Sequence, residues 1–406
     1  MRTEGDNMIG LKRQNRAAVL LLLHRYGGLS RKRLAALLGL TPAAMTKIVS
    51  ELIGEGLIRE EGPLAASGAG RREIMLRLAD DRMSALGVSI GLGKASVSAV
   101  RADGTVLFFE TVPLPIRAPA EQTVQMLCDH LTEQIRKCQS SFGNPIGIGI
   151  AVRGMIGADG RTVKSSFDAL DTEDFPICDS FETHTGYPAV LSNNVRALLA
   201  AEVFLSRDEK PESIFFLRCG SGIGAAFFAG EGIMEGDRKQ CAEIGHIPVI
   251  RRGGKPCHCG KSGCLETIAS PAAIREDAQA LLSETETPLL WKLADGSRDA
   301  VTTALVLDAA RGGDAGAMKI ADRAAETLSD ALKSVVYLMD PGKIVLYGEI
   351  FEHPYFLSRL LAEMDVGVDA AHAAPMEKSR FNGQLETKAA GLLYIIQFYR
   401  DGGITE

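Results

Sequence analysis

No stretch of this 406-residue chain reads as a membrane span. The longest clean apolar run near its start, Ala17 to Leu23, falls far short of the roughly 20 residues a spanning helix needs. That run lies between Arg16 and the His24-Arg25 pair and carries no small-residue cleavage signature, so no secretory signal is expected. Cysteine is sparse: eight residues, three of them clustered, which argues against a disulfide framework and for a reducing compartment, the cytoplasm. Cys128, Cys138, Cys178, Cys219 and Cys241 read as isolated small core or surface residues. No repeat of solenoid period is present, and low complexity is confined to about 63–70. What remains is an ordinary soluble composition, 46% hydrophobic and 24% charged, with length for two or three domains.

The net charge of −6 hides an asymmetry. Residues 1–78 carry 13 Lys or Arg against 7 Asp or Glu, a surplus of 6, whereas the remainder carries 32 against 44, a deficit of 12. A basic end on an acidic body predicts that one end meets a polyanion. Residues 1–12 read as a mobile leader. A helix is expected over about Gln14 to Tyr26, stopped by Gly27-Gly28, then a short one after Ser30, closed by Gly39. Thr41 caps a third, with Pro42 at its first position. Met45, Ile48, Val49 and Leu52 form its apolar face. Thr41, Ala43, Ala44, Thr46, Lys47 and Ser50 form the other, small, polar or basic, as a helix entering the DNA major groove requires. Two short strands about a Gly/Ala/Ser-rich tip then make a wing, with Arg71 and Arg72 at its base placed for phosphates or the minor groove. Winged helix-turn-helix is the reading; a three-helix interaction domain with solvated charges is its alternative.

From Ala85 the pattern turns to strands. A hairpin is expected across Gly91 to Lys94, a further strand over Val106–Pro113, a helix from about Ala120 to Gln139, and a buried strand over Ile146–Val152. Strands followed by a crossover helix predict an α/β lobe. Later elements are a helix over about Arg196–Leu205, a strand over Ile214–Arg218, and helices over about Pro271–Leu282, Val301–Arg311 and Asp314–Met339. A strand around Ile344–Leu346 and a closing helix over Ala389–Tyr399, returning to the first lobe, complete the pattern.

The most informative stretch runs from Glu243 to Glu266. His246, Cys257, Cys259 and Cys264 make a Cys3His set, the usual donor composition of a closed tetrahedral zinc site. One structural Zn2+ per chain is predicted; free surface thiols are the alternative. Gly253, Gly254, Gly260 and Gly263 allow the loop to bend tightly enough to aim three sulfurs at one point. Glu243 and Glu266 flank the cluster, and carboxylates beside an imidazole suit a group of hydroxyls, as on a sugar. Each Glu by itself could equally be a solvated charge. His246 has two ring nitrogens, so one can hold metal while the other faces a ligand.

Glu243-Ile244-Gly245-His246 followed by CHCGKSGCLE resembles the ROK family, which contains sugar kinases and sugar-responsive repressors. Weaker matches extend over most of residues 80–400. The resemblance implies an actin-like (ribonuclease H-like), two-lobed sugar kinase fold. It further implies sugar contacts from Glu243, His246 and Glu266 and zinc held by His246, Cys257, Cys259 and Cys264. The first 80 residues resemble the winged N-terminal domain of the NagC/XylR/Mlc-type repressors of that family. The boundaries expected are 1–80 for the winged domain, 81–193 for a first lobe completed by 388–406, and 194–387 for a second lobe with the zinc loop.

Three departures from the family's kinases bear on activity. Ser89 stands where those kinases carry the Asp that positions magnesium, and a Ser lacks the carboxylate charge. Asn194 stands at their general-base Asp, and a carboxamide has no useful proton affinity near neutral pH. Asn193 and Asn194 can still bond sugar hydroxyls; shaping a loop and capping the next helix is their plain alternative. Tyr347 and Glu349 stand where the kinases have small, adenosine-contacting residues. The loop Cys219–Gly224 resembles the family's second phosphate loop and reads as retained architecture.

The function expected is a sugar-responsive transcriptional regulator, a repressor by resemblance, whose kinase-like body binds a sugar or sugar-phosphate effector at an interlobe cleft without phosphorylating it. A double-stranded DNA operator and a homodimer or homotetramer follow as partners. The rival readings are an ATP-dependent sugar kinase with an accessory DNA-binding domain, and a DNA-binding scaffold whose lobes bind another protein.

Overall fold

The structure is a computed structural model, which describes residues 4–63, 73–142, 144–167, 169–206, 213–230, 232–366, 368–369 and 372–405. The chain divides into two compact units, 1–210 with 385–406, and 211–384.

The first unit begins with α1 (Glu4–Tyr26), β1 (Leu29–Ser30), α2 (Arg31–Leu38), α3 (Pro42–Gly54), β2 (Ile58–Pro63) and β3 (Ile74–Leu78). Ser30 caps α2 by accepting from the Arg33 N–H, and Gly39 ends it at φ 63°. The chain turns through 118° into α3, the geometry of a helix-turn-helix. Thr41 caps α3 by accepting from the Ala44 N–H, and Met45, Ile48, Val49 and Leu52 are its buried face. The strands pair in the order β1-β3-β2, giving the wing. Ion pairs Arg31–Glu60 and Lys32–Glu73, at 2.8 and 3.2 Å, tie α2 to that sheet. Arg71 and Arg72 lie outside the described residues.

One expectation is corrected here. The leader assigned to residues 1–12 is helical from Glu4, as part of α1. The reason is tertiary. Lys12 pairs with Glu51 at 2.8 Å, and Arg13 pairs with Asp401. Arg16, only 3% exposed, forks onto the Glu55 carboxylate and donates to the Gly402 carbonyl at 2.8 Å. All these partners are distant in sequence, so no local signal announces them. Near the other end of α1, the His24 ring stacks on Phe204 at 3.7 Å.

Next come β4 (Ser84–Gly91), β5 (Lys94–Arg101), β6 (Val106–Pro113), β7 (Ala118–Pro119) and α4 (Ala120–Phe142). They are followed by β8 (Ile148–Val152), β9 (Met155–Ile156), β10 (Val163–Ser165), β11 (Leu170–Asp171), α5 (Ile177–Thr185), β12 (Ala189–Asn193) and α6 (Asn194–Leu205). The five-stranded sheet has the order β12-β8-β4-β5-β6. β4, β5 and β6 form an antiparallel meander, while β8 and β12 run parallel to β4. The last helix of the chain, α13 (Leu385–Arg400), packs on β4, β5, β8 and α6. Gly149 makes the approach possible, because a Cβ there would run into the Ala390 carbonyl. α6 therefore belongs with the first unit, although residue 194 is where the second lobe was expected to begin.

The second unit contains β13 (Ser213–Cys219), β14 (Ile223–Ala229), β15 (Gly232–Ile233), α7 (Glu266–Ala269), α8 (Pro271–Leu281), α9 (Pro288–Leu293) and α10 (Thr303–Arg311). It continues with α11 (Ala315–Met339), β16 (Lys343–Tyr347), α12 (Pro354–Asp365) and β17 (Met376–Lys378). Its sheet order, β15-β14-β13-β16-β17, repeats that of the first unit: a meander of three strands, then two strands parallel to the first. The repetition is the duplicated ribonuclease H-like architecture that the actin-like expectation requires. Its core is built on α11, whose Ala317, Ala321, Ala324 and Ala325 allow close packing around Leu328 and Leu332. Among the described residues, no single helix is long and apolar enough to cross a membrane.

Candidate metal centre and effector site

Residues 247–265 form a loop held by its own backbone. Val249 and Ile250 N–H groups donate to the Gly263 carbonyl, Gly263 donates to Lys255, and Leu265 donates to Ile247. Gly253, Gly260 and Gly263 sit at φ 71°, 84° and 74°, a region that favours glycine. The fully buried Leu265 anchors the loop's end in the core of the second unit.

This folding brings His246, Cys257, Cys259 and Cys264 together, with all four donor atoms within 4.8 Å of one another. Cys257 Sγ lies 3.6 Å from His246 Nδ1, and Cys259 Sγ lies 3.7 Å from Cys264 Sγ. A tetrahedral zinc with bonds of about 2.3 Å to sulfur and 2.0–2.1 Å to nitrogen requires edges of roughly 3.5–3.8 Å. The two measured edges match, so the residues fit the ion. Burial pushes the Cys257 thiol up to about 12; a divalent cation reverses that by binding the thiolate. Nδ1 is the ring nitrogen that His246 turns to the sulfurs.

Two glutamates flank the cluster in the chain. Glu243 opens the short 3-10 turn Ile244–His246, and its carbonyl accepts from the His246 N–H at 3.1 Å. Ala242, just before it, holds φ 67°. Glu266 begins α7 with a side chain 13% exposed. Its Oε2 accepts from the Ile223 N–H at 2.7 Å, and its Oε1 lies 3.0 Å from His258 Nδ1. Gly222 leaves room for that seat, because a Cβ there would push the carboxylate aside. His258 also lies edge-on to His246, ring centres 5.1 Å apart. Sequence reasoning passed over His258; its signal was its position between two cysteines of the four-donor cluster.

Asn193 and Asn194 stand in the first unit, where the structure gives Asn193 a local task. Its carboxamide donates to the Gly154 carbonyl and accepts from the Val195 N–H, each at 2.9 Å, capping α6. Asn194 is the first residue of that helix and is half-buried. Ser89 sits in β4 opposite Ser96. Tyr347, which stands where the family's kinases have a small residue, is a core residue: it is 2% exposed and stacks on Phe216 at 5.6 Å. Glu349 is exposed at the start of a 3-10 turn.

On α3, Thr41, Ala43, Thr46, Lys47 and Ser50 are exposed and Ala44 is half-buried, so the expected reading face is presented to solvent.

Comparison with known proteins agrees with these two halves. The ROK family profile matches residues 85–389, and that of the MarR family matches residues 9–67. The N-acetylglucosamine repressor of Escherichia coli O157:H7 is 30% identical over 346 residues, 84% of this chain and 82% of that protein. A glucokinase of Halalkalibacterium halodurans is 28% identical over 266 residues, covering 65% of this chain and 80% of the enzyme. The crystal structure of a ROK family transcriptional regulator, a homologue of E. coli Mlc, superposes over 97% of this chain and 98% of its own with a TM-score of 0.84 at 24% identity. The chain belongs to the ROK family, and it joins a winged DNA-binding domain to a sugar-kinase-like body as a sugar-responsive transcriptional regulator of that family.

Proposed function

We propose that this protein is a repressor whose second unit binds a sugar or sugar phosphate through Glu243, His246 and Glu266, braced by a structural zinc, without phosphorylating it. The convergence of the four donor atoms carries the reading, because the same loop that gathers them also places His246 and Glu266. The ion's part is to hold that loop. Its thiolate-rich donor set suits a reducing compartment such as the cytoplasm. Asn194 in place of a general base and Ser89 in place of a magnesium-positioning carboxylate support binding without turnover. A homodimer would carry two copies of α3 for half-sites one turn of DNA, about 34 Å, apart. Effector binding alters DNA affinity if it is stronger in one conformation than in another.

The test uses purified protein with N-acetylglucosamine, glucose and their 6-phosphates. At 100 times its dissociation constant, the true effector adds about 2.7 kcal/mol of stability. It also changes the affinity for operator DNA. No ATP-dependent phosphorylation above background is expected with any of the four; clear turnover would overturn the regulator-only reading in favour of a kinase. Absence of any stabilisation or DNA effect across the panel would favour a scaffold that binds protein.

Lys47→Ala tests the DNA face separately. It removes one exposed cation from α3, and binding should weaken with the log-log salt slope reduced by about 1. A slope unchanged within error would remove Lys47 from the interface.

A further inference from the structure

Glu266 is a carboxylate with two oxygens and about four acceptor positions. The Ile223 N–H occupies one position on Oε2, and His258 Nδ1 stands 3.0 Å from Oε1. These two donors come from separate parts of the unit, the start of β14 and the metal loop. A terminal sp2 torsion of Glu is broad, and a single hydrogen bond leaves the carboxylate plane free to swing. A second donor on the other oxygen removes that freedom. Gly222 allows the close seat on the Ile223 side, and His258 closes the other.

His258 is itself held in place. Its neighbours Cys257 and Cys259 are both in the four-donor cluster, and its ring lies at 76° to that of His246. Its side chain is 23% exposed. From its flanks, the metal loop sets where the imidazole stands, and the imidazole sets where the carboxylate points. The acceptor positions left on Glu266 then face in fixed directions, which is what discriminates one arrangement of neighbouring hydroxyls from its epimer.

We propose that His258 is a positioning residue: by donating from Nδ1 to Glu266 Oε1 it fixes the carboxylate plane and sets the epimer selectivity of the effector site. The proposal rests on the sugar-binding reading above. A rival role is metal ligation, since donor atoms of Cys257, His258 and Glu266 also lie within 4.8 Å of one another. The set His246, Cys257, Cys259 and Cys264 already supplies the four donors of a closed site, so a fifth is not needed.

The experiment compares wild type, His258→Ala and His258→Asn. Dissociation constants are measured by calorimetry for N-acetylglucosamine and glucose and for the C2 and C4 epimers of each, alongside zinc content and far-ultraviolet circular dichroism. In His258→Ala, the affinity ratio between the tightest-binding sugar and its epimers should fall at least fivefold at unchanged zinc content. His258→Asn, whose Nδ2–H stands near the position of the lost Nδ1–H, should hold the ratio within twofold of wild type. A ratio in His258→Ala within twofold of wild type overturns the proposal. So does loss of zinc in both variants, which would make His258 a ligand or a prop of the loop. Wild type that binds none of the sugars overturns the sugar reading and the positioning role together, and is told apart because the variants play no part in it.

Discussion

Replacing Cys264 with serine is expected to release the metal and melt the loop over residues 247–265 while the second unit's sheet survives. Cys264 is fully buried, its Sγ is 3.7 Å from that of Cys259, and it precedes the core anchor Leu265. Serine offers no thiolate, and it leaves a hydroxyl in a place without water. Apparent zinc affinities in small zinc-binding peptides are worth about 10–16 kcal/mol. Only part of that is lost globally here, because the sheet and α11 have an apolar core of their own. Without the ion the loop keeps its backbone bonds and the exposed Lys255–Asp277 pair to α8. These alone would then oppose its ordering entropy, roughly 1–2 kcal/mol per residue. Zinc content should fall from about one per chain to near zero, and proteolysis should begin within the loop. Effector binding should go with it, although Glu243 is untouched. Chelation of the wild type should reproduce the result. A Cys264→Ser protein that keeps stoichiometric zinc and a protease-resistant loop would sink the metal-braced site.

The second large effect is expected at Arg16. Its side chain is 3% exposed and joins α1 to two other elements: it forks onto Glu55 at the end of α3, lies 3.6 Å from Glu51 within α3, and donates to the Gly402 carbonyl just beyond α13. The hydrogen bonds it donates to Glu55 raise the Arg16 pKa further, against the opposing effect of burial, so the charge is permanent. Removing one partner of a buried pair costs about 3–5 kcal/mol when the other is left stranded. Glu55 is 46% exposed and can rehydrate, so Arg16→Met should cost about 2–3 kcal/mol instead. In a unit of this size that lowers the midpoint of its thermal transition by roughly 5–10 °C. Operator affinity should fall too, since α3 keeps only the Lys12–Glu51 pair as a charged tie to α1. Calorimetry showing a change under 1 kcal/mol would mean that the buried Arg16 contacts do not hold α1 in place.

How much of this was legible beforehand differs from element to element. α3 could be read residue by residue, because a cap, a proline and a 3.6-residue apolar period are all local. The convergence of the four candidate metal donors was legible for a related reason: thiolates spaced two and five residues apart can reach one point only if the loop folds back on itself. The role of Asn193 was not settled, because a carboxamide at a strand end suits both a hydroxyl and a cap, and only the position of the Gly154 carbonyl decides. Where the Tyr347 side chain goes was not legible, because Phe216, on which it stacks, lies more than a hundred residues earlier in the chain.

By itself the sequence determined the reading helix, the wing strands, the alternation of strands and helices in the body, and the cluster of His246, Cys257, Cys259 and Cys264. Each depends on residues within about twenty positions of one another. Only the tertiary structure decided that α1 begins at Glu4, that α6 belongs to the first unit, and that His258 holds Glu266. Those outcomes turn on which groups meet across long separations or across a metal loop. Many pairings there have similar local chemistry, and burial of the whole core selects among them.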